Sequence, residues 1–192
     1  MKAVLGHQTQ QQVVFVGPFG VGKTTALRAI SDIPVVSTEV ASSEIGQLGM
    51  TDKSTTTVGF DYGEWAFSDG DRVGLFGVPG QERFHAMWDA VLPQSSAVVL
   101  WLFGDRANAL ADCRFWLEAL AARNAVARLA VALTRLPDDV PDRVLAPFRE
   151  LIARYHPLAP LITADPRDQT SVVQATLIAL ATPYMSAAAT TP

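Results

Sequence analysis

The chain has 192 residues, of which 49% are hydrophobic, enough for one domain with a substantial core. A formal charge of −4 without any Lys or Arg cluster argues against a DNA or RNA partner, and the single cysteine, Cys113, can close no internal disulfide and build no cysteine metal site, which points to a reduced cytoplasm. The most apolar run, Ala97 to Phe103, is too short to span a bilayer, and the polar stretch up to Gln12 lacks a signal-peptide core, so no intrinsic membrane segment is expected.

In chain order, residues 1–11 read as a flexible lead, 12–184 as the domain and 185–192 as a tail rich in Ala and Thr. The apolar run Val13 to Val16 predicts a strand, and Gly22 to Ser31 has helical period. Ser37 to Thr56 is polar with little periodicity, and a loop of that length in a compact domain is usually functional. Strands follow at Thr57 to Phe67 and Arg72 to Phe76, joined by Ser68-Asp69-Gly70-Asp71, an Asp-Gly turn that leaves no room for a crossover helix and so closes an antiparallel hairpin. Beyond it come a helix at about Glu82 to Val91, a strand at Ala97 to Leu102 and a helix at Ala107 to Arg123, with Leu110, Cys113, Leu117 and Leu120 read as core contacts. A strand at Leu129 to Leu133, a helix at Pro141 to Tyr155, a strand at Pro160 to Thr163 and a helix at Thr170 to Ala181 complete the pattern. The alternation predicts an α/β fold with six strands, mostly parallel, one antiparallel edge strand, and helices on both faces.

Gly17-Pro18-Phe19-Gly20-Val21-Gly22-Lys23-Thr24 matches G-x-x-x-x-G-K-[ST] immediately after an apolar strand and before a helical segment, the context in which the pattern is a phosphate-binding P-loop. Gly17, Gly20 and Gly22 let the backbone curl so that the N–H groups around Val21 converge on a phosphate at the positive end of the next helix. Lys23 supplies a cationic point charge, and the Thr24 hydroxyl is the expected Mg²⁺ ligand, with Thr25 beside it. Read alone, the octamer is also compatible with a Gly-rich turn that happens to contain Lys and Thr. Two further segments stand out: Thr55-Thr56-Thr57-Val58-Gly59-Phe60-Asp61 and Leu75-Phe76-Gly77-Val78-Pro79-Gly80-Gln81-Glu82-Arg83-Phe84.

Taken in this order with Trp88 and Gly104-Asp105-Arg106, these motifs resemble the Ras-like small GTPase superfamily, above all its Arf-like branch, the signal-recognition-particle receptor β subunit and bacterial small GTPases of gliding-motility type. The resemblance covers most of the chain. It implies a P-loop G domain that binds GTP or GDP with Mg²⁺ and acts as a molecular switch, hydrolysing GTP slowly beside regulatory or effector proteins, among them roadblock-type regulators. Residue by residue, it implies that Thr57 closes over Mg²⁺ and the γ-phosphate, that Gly80 donates its N–H to the γ-phosphate, and that Gln81 orients the attacking water.

The chain departs from the family at two places. Gly77 stands where most members have the Asp that helps hold Mg²⁺ through a water; Asp61, on the same strand face as Thr57, is a possible substitute. Thr134-Arg135-Leu136-Pro137, followed by Asp138 and Asp139, replaces the guanine-selecting Asn-Lys-x-Asp. Arg135 could still lie over the base and Asp138 reach its amine, while Ala164 in Thr163-Ala164-Asp165 is placed beside the purine. Blander readings stand next to these: the Thr run as solvent-facing strand, Gln81 and Arg83 as surface helix positions, Trp88 as core, Pro79 as a turn-former. Two other functions also stay open, a degenerate GTPase serving as a scaffold, and an ATP-using P-loop ATPase or phosphotransferase with Asp105 as its acidic residue unless Asp105 merely caps a helix.

Overall fold

The computed structural model describes residues 11–37, 59–68, 71–80, 88–89, 92, 96–137 and 139–182. Its elements run β1 (Gln11–Val16), α1 (Lys23–Ile30), β2 (Val36–Ser37), β3 (Asp61–Ser68), β4 (Asp71–Gly77), β5 (Ala97–Phe103), α2 (Ala109–Ala121), β6 (Leu129–Thr134), α3 (Asp142–Ala153), β7 (Leu161–Thr163) and α4 (Gln169–Ala181). The strands form one mixed sheet in the order β2-β3-β4-β1-β5-β6-β7. From β4 to β7 all neighbours are parallel, whereas β2, β3 and β4 pair antiparallel.

Continuous apolar runs form the central strands because both of their faces are covered, the usual condition of a parallel sheet. Val13 to Val16 are fully buried, and so is nearly every residue of β5 and β6. Their side chains alternate between two cores. Val13, Phe15, Val99 and Trp101 pack with Leu27 of α1 and Ala175 of α4, and Val14, Val16, Leu100 and Leu102 pack with Trp116 of α2 and Leu151 of α3. Helices therefore lie on both faces, as the alternating pattern predicted.

Several boundaries differ from the sequence reading. The sheet has seven strands among the described residues, not six, because Val36–Ser37 adds a two-residue edge against Asp61 and Tyr62. Ser37, placed in the long polar loop, belongs to that strand, and a two-residue edge gives no periodicity to read. Gln11, placed in the flexible lead, pairs with Val73 at the start of β1, where main-chain hydrogen bonding needs no apolar side chain. The strand expected from Thr57 begins at Asp61, residues 59 and 60 carrying no element. Residues 1–10 and 183–192 lie outside the described residues, as does the helix expected at Glu82 to Val91 apart from helical Trp88 and Asp89.

Helix α2 buries Ala109, Cys113, Trp116, Leu117 and Leu120, but Leu110, expected in the core, is 38% exposed. It sits in the first turn at the margin of the apolar stripe, where Ala109 takes the inward position. Asp105 does not cap this helix: Asn108 is the N-cap residue, and Asp105 is exposed in the loop before it. Trp88 is core, fully buried and stacked on Trp116 with centroids 4.5 Å apart, a pairing worth about 0.5–1.5 kcal/mol beyond burial. Its indole N–H donates to the Pro79 carbonyl at 3.1 Å, so the same residue anchors the turn after β4.

Candidate functional site

β1 lies between β4 and β5: the chain leaves it for one half of the sheet, through β2, β3 and β4, and then crosses to the other half at β5. Open α/β sheets bind ligands at such a switch point, beyond the carboxyl ends of the strands. The Gly17–Thr24 loop lies there. Gly17, Gly20 and Gly22 all have positive φ, at 136°, 76° and 109°. A Cβ on Gly17 would come within 2.0 Å of the Trp101 carbonyl oxygen, so the loop is pressed directly onto β5.

The loop delivers α1 with a bare amino end. Its N-cap, Gly22, provides no side-chain acceptor, and no acid occupies the first turn. Its unpaired N–H groups and the positive end of the helix dipole thus face outward, the arrangement that attracts an anion. The amino end of α4 is the contrast, where the Asp168 carboxylate accepts from the Ser171 N–H at 2.8 Å and that interaction holds it below the usual carboxylate range.

Lys23 turns its ammonium back into the loop, donating to the Gly17 carbonyl at 2.7 Å and the Pro18 carbonyl at 2.9 Å. Burial pushes its pKa down to about 8, opposed by the pull of the Asp61 carboxylate. Thr24 donates its hydroxyl to Asp61 Oδ2, and Ser37 donates to Oδ1 of the same carboxylate at 2.6 Å. Asp61 is the cross-strand partner of Gly77. A Cβ on Gly77 would meet the Asp61 Cβ at 3.3 Å and Oδ2 at 3.4 Å, so the carboxylate from β3 fills the space beside Gly77. No group of three or more His, Cys, Asp and Glu suited to a metal is found among the described residues. The oxygen pair of Thr24 and Asp61 instead fits a small hard cation that takes the rest of its ligands from a bound anion and water.

The turn after β4 closes on the loop from the other side. Val78 donates its N–H to the Phe15 carbonyl at 3.1 Å, which ties the turn to β1. A Cβ on Gly80 would lie 2.5 Å from the Gly17 oxygen, the Phe19 nitrogen and the Pro18 carbonyl carbon, so Gly80 rests on the loop backbone. Thr57, Gln81, Arg83 and Asp138 lie outside the described residues.

Next to the loop opens a cavity of about 590 Å³, lined by Gly20 to Gly22 and Thr25, by Thr134 to Leu136, and by Thr163 to Arg167 with Ser171. That is the scale of a small-molecule site. The structure thus brings Gly20, Val21, Gly22, Thr25, Thr134, Arg135 and Ala164 to one cavity, with Thr24 and Lys23 at its loop end. Thr134 is buried and accepts, through its carbonyl, the Gly104 N–H at 2.9 Å, whereas Arg135 adopts φ 64°. The Arg135 guanidinium lies over the Phe103 ring at 4.5 Å, and Arg106 lies over the same ring at 3.4 Å. Instead of standing free over the cavity, Arg135 is held by an aromatic face. Ala164 gives its N–H to the Leu133 carbonyl at 3.0 Å, prolonging the β6–β7 ladder. Asp105 is exposed and does not line the cavity.

Sequence reasoning gave no role to the Asp165–Arg167 pair, to Ser37 or to Phe103. Only the spacing of Asp165 and Arg167 around Pro166 hinted at a turn, and the other contacts join segments far apart in the chain. No helix among the described residues is long and apolar enough to cross a membrane. Compared with protein-family models and with curated proteins, the chain matches none.

Proposed function

We propose that this chain is a small GTP-binding protein of the Ras-like kind, a P-loop G domain in the cytoplasm that switches two surface segments with the state of its nucleotide and hydrolyses GTP slowly. The observation that carries the reading is the glycine loop of motif G-x-x-x-x-G-K-T, which ends in an uncapped helix amino terminus, carries Lys23 and opens onto a cavity of nucleoside scale. In this reading the N–H groups of Gly20 to Thr24 bind the β-phosphate, and the Lys23 ammonium leaves its two carbonyls to bridge the β- and γ-phosphates. Thr24 and Asp61 would hold Mg²⁺, with Thr57 joining when the first switch segment closes. When bound, Mg²⁺ neutralises charge on the phosphate oxygens. Gly80 donates its N–H to the γ-phosphate, and Gln81 orients the attacking water, so that catalysis is positioning and electrostatic stabilisation. A regulatory partner, such as a roadblock-type protein, would supply the acceleration.

A scaffold that no longer turns over nucleotide is the second reading. It is favoured by the self-contained pairing of Lys23 with its own loop and of Thr24 with Asp61, which a nucleotide has to displace. The ATP-using alternative, with Asp105 as its acidic residue, is separated from the first reading by which nucleotide the protein takes up.

The test is to denature freshly purified protein, identify released nucleotide by chromatography, and measure Mg²⁺-dependent binding of GTP, GDP and ATP. Guanine nucleotide bound tightly supports the proposal; exclusive ATP binding defeats it, and no binding leaves the scaffold. Gln81→Leu is expected to lower GTP turnover at least about tenfold with nucleotide affinity nearly unchanged. Equal turnover in both proteins removes Gln81 from the mechanism.

A further inference from the structure

The cavity beside the loop has one acid among its described lining residues, Asp165. Its position is set from both sides. Ala164 before it is pinned to Leu133 by the last ladder hydrogen bond, and Pro166 after it packs on the phosphate-loop end, where a Cβ on Gly22 would meet the proline ring at 2.6 Å. The Asp165 carboxylate accepts from Arg167 through Nε at 3.0 and 3.2 Å, through a terminal nitrogen at 2.7 Å, and from the Arg167 backbone N–H at 2.9 Å. These interactions hold its carboxyl below the usual carboxylate range, so that both oxygens act as acceptors at neutral pH.

The Arg167 side chain is 82% exposed and that of Asp165 43%, and an ion pair so open to water is weak enough to be exchanged for a ligand. Two acceptor oxygens side by side match two donors side by side. Guanine offers them as N1–H and the exocyclic amine. Adenine and cytosine set a ring lone pair next to their amine, and uracil flanks its one N–H with carbonyls. The other charged lining residues, Arg135 and Arg167, carry no acceptor, and Arg135 is held on Phe103. We infer that Asp165, from the loop after β7, reads the base and selects guanine. This assignment rests on the nucleotide-binding reading above and adds to it the residue that chooses the base.

The experiment measures binding of ribose-labelled fluorescent GDP, ADP and xanthosine diphosphate with Mg²⁺ to the full chain, to Asp165→Asn and to Asp165→Ala, with melting temperatures recorded for each. The unaltered protein is expected to prefer GDP over the other two by roughly tenfold or more. Asp165→Asn loses roughly tenfold to a hundredfold in GDP affinity and gains xanthosine diphosphate, because the amide keeps an acceptor for N1–H and presents a donor to the O2 of xanthine. That inversion can be produced only by a folded protein, which separates it from loss of structure. Asp165→Ala loses GDP without the gain. A variant Asp165→Asn that keeps the original ranking overturns the assignment while leaving nucleotide binding intact, as does an unaltered protein that does not distinguish GDP from ADP. Failure to bind any of the three nucleotides overturns the nucleotide-binding reading itself, and this assignment with it.

Discussion

Lys23 carries a buried ammonium whose acceptors are two carbonyls of its own loop. Its folded pKa, about 8, lies below its unfolded value of 10.5. Below pH 8 the group is charged in both states and the burial penalty is fully felt; between 8 and 10.5 the unfolded chain binds more protons, so stability rises with pH. Tyr62 acts in the opposite sense higher up, because burial and the Glu64 carboxylate raise its pKa from 10.0 to about 12. Cys113 opposes the Lys23 effect too from pH 9 upward, because burial raises its thiol from 9.0 to about 12. Urea midpoints of the ligand-free protein are therefore expected to climb from pH 8 to about 9 and level off above, and Lys23→Met is expected to remove that climb. A slope unchanged in the variant would assign the effect to another group. The glycines of the loop divide in the same residue-level way. Gly17→Ala sets a Cβ 2.0 Å from the Trp101 carbonyl at φ 136°, whereas Gly20→Ala, at φ 76°, meets nothing within 4 Å. The first should cost about 3 kcal/mol and the second about 1 kcal/mol in urea unfolding; equal costs would mean that the contact with β5 relaxes freely.

At the scale of elements, the β3–β4 hairpin does more than extend the sheet. Its register sets Asp61 opposite Gly77, and the carboxylate reaches across to Thr24 at the start of α1. A single carboxylate fits this corner. Gly77→Asp alone adds a second negative group where a Cβ already meets Asp61 at 3.3 Å, and is expected to destabilise by about 1–2 kcal/mol. Adding Asp61→Asn should recover most of that loss, since the repulsion goes while the hydrogen-bonding side chain stays. Purely additive costs in the double variant would refute the shared corner. This pairing also shows what a linear reading misses. The alternation over residues 61–67 and the Asp-Gly turn announce a hairpin, but which residue faces Gly77 depends on register, and the irregularity between Ala66 and Ser68 shifts that register by an amount no local pattern encodes.

For the molecule as a whole, Cys113 reports unfolding. It is fully buried within α2, and burial pushes its thiol up to about 12, so little thiolate exists at neutral pH even apart from access. A thiol reagent at pH 8 should label it only as fast as the domain opens. GDP with Mg²⁺ at a hundred times its dissociation constant should slow labelling about a hundredfold where opening is at equilibrium; fast labelling of the native protein would reveal a local opening at α2. Six of the seven described strands, the four described helices, their order and the glycine loop followed from the sequence alone, because apolar periodicity and backbone-permissive residues act over a few positions, whereas the two-residue β2 gave no such signal. The burial of Cys113, Leu117 and Leu120 was legible for the same reason, while Leu110 was not, since the edge of a buried stripe depends on where the helix meets the sheet. The tertiary structure alone decided that Asp61 fills the corner beside Gly77, that Arg135 rests on Phe103, and that Asp165 is held between the β7 ladder and the glycine loop. Each of these joins segments far apart in the chain, and a contact of that kind comes into being only when the sheet order brings its strands side by side.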